Sequence, residues 1–177
     1  MEIEMKLRLI HCSRMRWRRL ILIFTFVCLS FWSEGLRAGS LPDAPTGRIV
    51  KVLQMLMDTN GAVAVSPSLF DRDAYQAWLM EHTNQVSGVR FDVCWKASHA
   101  QGLTLKVRVD ARGVGVGGLP TEAVLERTVT PKIFHHWISL TLTGRGYKKL
   151  GTLAAWRVTL WNGEQEISEQ RSFLWSL

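Results

Sequence analysis

The sequence predicts a mainly β protein: an antiparallel sandwich of about seven strands with one short helix inserted near residues 71–82. Three observations carry this. From Val89 onward apolar residues fall at every second position, glycine- and asparagine-rich turns separate these runs, and one earlier segment has helical spacing instead. Successive side chains of a strand point to opposite sides, so such alternation suits a sheet with one wet face. A single sheet of that many strands would leave its apolar face in water; a second sheet must cover it.

Before the fold comes an address. Arg14, Arg16, Arg18 and Arg19 precede an uncharged apolar run, 20–32, and then the small residues Ala38, Gly39 and Ser40. Basic, apolar, then small is the layout of a secretory signal peptide, cut after Ala38, with Met15 as the expected true start. The run is shorter than the ~20 residues that span a bilayer comfortably; the alternative is an uncleaved anchor. Residues 1–38 are therefore a signal segment, 39–47 a proline-punctuated flexible leader, and 48–177 a single sandwich domain. The expected location is periplasmic or secreted.

The chain of 177 residues carries +7, but residues 1–38 hold seven Lys and Arg against three acids, which leaves +3 for the rest. Those charges are interspersed, whereas a nucleic-acid binder shows a basic stripe. Nucleic acid is excluded, and the membrane enters only through the N-terminal segment if that segment stays uncleaved. Cys12 and Cys28 lie in the signal segment, so Cys94 is left without an internal partner, free to be capped, to pair between chains or simply to be covered.

The elements follow in order. Residues 48–57 read as a strand ahead of the turn at Asp58–Gly61. Ser68 and Asp71 form a capping pair for the helix, along which Ala74, Trp78 and Leu79 recur. In 89–97, Val89, Phe91, Val93 and Trp95 face inward; in 103–112, Leu103, Leu105, Val107 and Val109 do so, after a hairpin loop at 98–102. Residues 121–130 form a weaker strand and 137–143 a stronger one. Residues 153–161 and 166–175 close the chain as a hairpin through Asn162-Gly163, suited to a type I′ turn. Phe173 and Trp175 share a face with Glu169 and Arg171, which implies a bulge or an open edge.

Residues 151–173, with Trp156-Arg-Val-Thr-Leu, Asn162-Gly163 and the late Ser172-Phe173, resemble the final hairpin of bacterial secreted immunoglobulin-like or fibronectin-III-like domains. The rest of the chain shares only the rhythm. The cysteine pair of such domains is missing, and the helix near Tyr75 is an insertion. The resemblance implies a β-sandwich with a role in adhesion or assembly, and it transfers no catalytic residue.

Trp95 and Trp156 fall on inward faces and are expected to be core. Trp161 falls outward beside Arg157 and Thr159, and Trp137 falls outward beside His135. His135, Trp137, Arg157 and Trp161 are thus the candidate surface for a protein partner or a stacked sugar. The competing expectation is that the helix, through Trp78, packs over this face. Gly113 to Gly118 spells GxGxxG but precedes Leu119-Pro120 and a strand rather than a helix, so it reads as a loop. His135 and His136 point apart along a strand, and no third ligand is evident; no metal or other cofactor is expected. Asp71 and Asp73 belong to the helix start, Ser66 and Ser68 lack a nucleophile frame, Cys94 lacks a base, and Tyr147-Lys148-Lys149 reads as a solvated basic turn.

The function that follows is a non-catalytic exported interaction domain, not an enzyme, binding an envelope protein or a second copy of itself. The alternatives are a small glycan-binding module and a small outer-membrane β-barrel, the last opposed by the low strand count.

Overall fold

Inward-facing positions of the alternating segments meet in one core between two antiparallel sheets. The computed structural model describes residues 44–132 and 134–176. The expected signal segment and leader residues 39–43 lie outside them. The three-stranded sheet has the order β1-β2-β5, from β1 (Thr46–Asp58), β2 (Val86–Ser98) and β5 (His136–Thr143). The four-stranded sheet has the order β4-β3-β6-β7, from β3 (Leu105–Val114), β4 (Pro120–Val129), β6 (Thr152–Asn162) and β7 (Gln165–Arg171). Val89, Phe91, Val93 and Trp95 pack against Leu105, Val107, Val109, Val158 and Leu160, all buried. Two facing sheets are a sandwich, which sets aside the barrel alternative.

The departures from expectation sit at element ends. β1 starts at Thr46, inside the expected leader, and bulges between Ile49 and Lys51. Leu103 is exposed because β3 begins only at Leu105. The last strand stops at Arg171, and Phe173–Ser176 form a 3-10 turn, which is why Phe173 is 86 % exposed. Asn162 is already paired with Gln165, so the turn residues are Gly163 and Glu164, with only Gly163 at positive φ; this fits a type II′ rather than a type I′ turn. Tyr147-Lys148-Lys149 is helical rather than a turn: it belongs to a second helix, α2 (Gly144–Leu150), with Leu150 buried and Tyr147 packed on the core, while Lys148 and Lys149 stay exposed.

The inserted helix, α1 (Leu69–Glu81), starts where the capping residue predicts. Ser68 Oγ accepts from the Asp71 N–H at 3.4 Å, while Ser66 rather than Ser68 engages the Asp71 carboxylate, at 2.6 Å. Of the expected inward residues only Leu79 is buried; Trp78 stays partly exposed, stacked between Tyr75 and His82. The helix lies along the free edge of β1. Gln76 mimics a strand there: its Oε1 accepts from Leu56 N–H at 2.7 Å, and its Nε2 donates to Leu56 O at 2.9 Å and to Val63 O at 2.7 Å. Further up the same edge, Ile49 N–H donates to Ser168 Oγ of β7 at 3.0 Å. Together these contacts satisfy backbone groups that an edge strand leaves open.

Asp58 ties β1, its turn and α1 together. Its carboxylate accepts from the N–H groups of Asn60 and Ala62 and from the Tyr75 hydroxyl, each at 2.8 Å. The Tyr75 bond, then the turn amides, hold its pKa below the ordinary 3.8. A depressed acid stabilises the fold fully above its unfolded pKa, and that stabilisation is lost as pH falls through the folded value, hence below 3.8. Asp58→Asn should cost about 1–3 kcal/mol at neutral pH through lost hydrogen bonds. Denaturation midpoints followed into acid should then converge for the two proteins; a constant gap would refute the assignment.

Candidate functional site

The structure divides the four sequence-selected surface residues between two faces. Trp137 lies on the outer face of the three-stranded sheet, directly across from Cys94, whose other neighbour is Lys51. His135 is exposed just before β5. Arg157 and Trp161 lie on β6, on the outer face of the other sheet, so they cannot share one ligand surface with Trp137.

On that second face the side chains serve one another. Arg157 donates to Glu166 at 2.8 Å and lies 3.3 Å from Glu169; Lys106–Glu126, Arg108–Asp110 and Arg112–Glu122 continue the pattern across the sheet. Trp161 donates its indole N–H to buried Thr159 at 2.7 Å, and the Arg112 guanidinium lies 4.0 Å above the Trp175 ring. Exposed ion pairs contribute about 0–1 kcal/mol each. Their larger effect is to leave this face electrically balanced.

The first face differs. Arg48 stands directly across from Lys96 on adjacent strands, with Lys51 one bulge further along. Lys132 and Phe134 rim a shallow hollow of about 590 Å³ beside the Ser98–Gly102 loop. Among the described residues, none of Arg48, Lys51, Lys96 and Lys132 makes an ion pair.

At the opposite end of the sandwich a cleft of about 1050 Å³ opens between the sheets, a feature the sequence reading missed. The glycine-rich β3–β4 turn and α2 form its sides, and Met80 of α1 joins them. Val116 is 93 % exposed at its rim, with Val114 and Met80 also exposed. Burial pushes the phenol of Tyr147, on the cleft wall, above its usual value. Among the described residues no carboxylate lines the cleft, and Lys148 is the one formal charge on its wall. The sequence signal was there: valines in a glycine loop have no core to serve.

The remaining candidates gain no chemistry. Among the described residues no group of three or more His, Cys, Asp or Glu side chains could hold a metal ion. His136 turns inward with its ring tilted on Trp95 at 5.6 Å, and its buried Nε2 has no partner among the described residues. Cys94 is a free, buried thiol whose pKa is raised by desolvation, the reverse of an activated nucleophile. The GxGxxG segment is a hairpin connection, closed by Gly115 N–H to Leu119 O at 2.8 Å. No helix of the described residues is long and apolar enough to cross a membrane.

No family model matches the chain, and no curated protein matches it. A crystal structure from Akkermansia muciniphila is similar in shape, with a TM-score of 0.47 at 9 % sequence identity, over 76 % of this chain and 73 % of that one.

Proposed function

We propose that this chain is a non-catalytic interaction domain displayed outside the cytoplasm, and that its cleft end receives a segment of a protein partner. The observation that carries the reading is the convergence of Met80, Val114, Val116 and Tyr147 on one cleft. Single exposed apolar residues are ordinary, but a group of them around a concavity marks a surface that another molecule covers. The domain is also taken to be immunoglobulin-like. First, second and fifth strands share one sheet, and third, sixth and seventh the other, as in that fold; the fourth strand here sits beside the third instead of on the first sheet.

The test is site-specific crosslinking in cells. A photoreactive residue at Val116 is expected to trap a discrete protein adduct, and Met80→Glu in the same chain to abolish it. A control at Val124, exposed on β4, should trap nothing comparable. Equal adducts from both positions would sink the reading.

A second reading has one observation in its favour: Trp137 is 54 % exposed beside His135, a geometry open to sugar stacking. Oligosaccharides should then change tryptophan emission in the parent chain and not in Trp137→Phe. An unchanged spectrum across a broad panel removes the glycan alternative.

A further inference from the structure

We propose that the end of the sandwich where the chain enters, with the adjoining outer face of the three-stranded sheet, docks on an anionic lipid bilayer. The inference does not depend on the cleft reading, since it concerns the opposite end of the domain.

Charge comes first. Arg48, Lys51, Lys96 and Lys132 gather on this face and its rim without an ion-pair partner among the described residues. Like charges directly across a strand pair repel and weaken the sheet, so an anionic surface laid over Arg48 and Lys96 would relieve their repulsion. The nearest carboxylate on the face, Asp92, is engaged by Arg90 at 2.8 Å and by Ser139 Oγ at 2.6 Å. This is the reverse of the balanced four-stranded face.

Apolar groups accompany the cations. Phe134 is 77 % exposed beside Lys132, and Trp137 stands next to Cys94 on the same face. Aromatic rings with lysines around them suit the headgroup layer, where rings bury and ammonium groups meet phosphates.

Chain geometry selects the same end. β1 begins at Thr46, opposite Ser98 on the rim of the hollow. Thirteen residues separate Trp32, the end of the apolar run, from Thr46. Fully extended they reach at most about 45 Å, close to the roughly 43 Å that β1 itself spans. If the apolar run stays uncut as an anchor, the alternative to cleavage after Ala38, a bilayer holding it meets the Thr46 end readily, and the cleft end only with the linker stretched along the whole domain. Each cation at an anionic surface is worth roughly fivefold in affinity.

The experiment uses the full chain with Cys12, Cys28 and Cys94 replaced by alanine and one thiol-attached fluorophore, at Gln101→Cys by the hollow or Val116→Cys by the cleft. It is reconstituted in vesicles carrying a headgroup-level quencher, in phosphatidylglycerol or phosphatidylcholine. Quenching at 101 should exceed that at 116 at least about twofold in phosphatidylglycerol, and fall in about 0.5 M salt as screening shortens. Lys96→Glu with Lys132→Glu should reduce it to the phosphatidylcholine level. The exposed pair Phe134→Ser with Trp137→Ser should do the same, and circular dichroism checks that both variants fold. Equal quenching at the two positions, or no preference between the lipids, overturns the proposal. So does protection of the patch by a soluble sulfated polysaccharide without vesicle quenching, which would assign it to a polyanionic glycan.

Discussion

Trp95→Ala is expected to cost about 3–5 kcal/mol, the toll for emptying a large aromatic site in a core that cannot fully collapse. Trp95 is the largest fully buried side chain, at 1 % exposure, held between Ile49 across the strand and the His136 ring. Set against a typical total of about 5–15 kcal/mol, that loss removes a large share of the stability. Trp95→Phe should recover most of it, because the indole N–H has no acceptor among the described residues to lose. Trp156 is the informative control. Its alternation reads like that of Trp95, but it is only partly buried, meeting Phe91 edge-on at 6.4 Å. Trp156→Ala should therefore cost only about 2 kcal/mol. Denaturant titrations of the three variants check the order; an equal or larger loss at Trp156 would contradict the packing described.

Gly151→Ala should cost about 3 kcal/mol or more, for two separable reasons. Gly151 closes α2 at φ 72, ψ −138, a conformation that side-chain-bearing residues avoid. A Cβ there would also collide with Val114 O and come within 2.8 Å of Gly115 Cα. Both obstacles are backbone, so relief requires moving the β3 end or the α2–β6 junction, and with them a wall of the cleft. Gly117 isolates the first cause: its φ is 77, but nothing lies within 4 Å of an added Cβ. Gly117→Ala should cost only about 1 kcal/mol. Thermal unfolding of the two variants measures the difference, and similar melting temperatures would remove the steric argument.

The sandwich was legible because its signal is local. Alternation in 89–95, 105–109 and 156–160 follows from the strand backbone itself, and the residues it turns inward are the ones that pack. Strand ends carry no such signal: Leu103 and Phe173 continue an apolar rhythm past the last ladder bond. α2 was illegible for another reason. Gly144 and Gly146 lower helix propensity, and the helix exists because Tyr147 and Leu150 find the core, a long-range gain. The candidate surface shows the same boundary. Parity places Trp137 and Trp161 outward, but only strand order reveals that they belong to different sheets. The cleft was hidden likewise, since its walls come from segments far apart in sequence.

The amide clamp of Gln76 on Leu56 has a bearing on self-assembly. Fibril growth by strand addition starts where a sheet offers vacant ladder positions to a second molecule. On β1 Ser168 and Gln76 already fill such positions, so a templating copy would have to displace them before it could add on that side. Loss of the helix, more than loss of the core, is therefore the lesion expected to turn this domain from a stable fold into a seed.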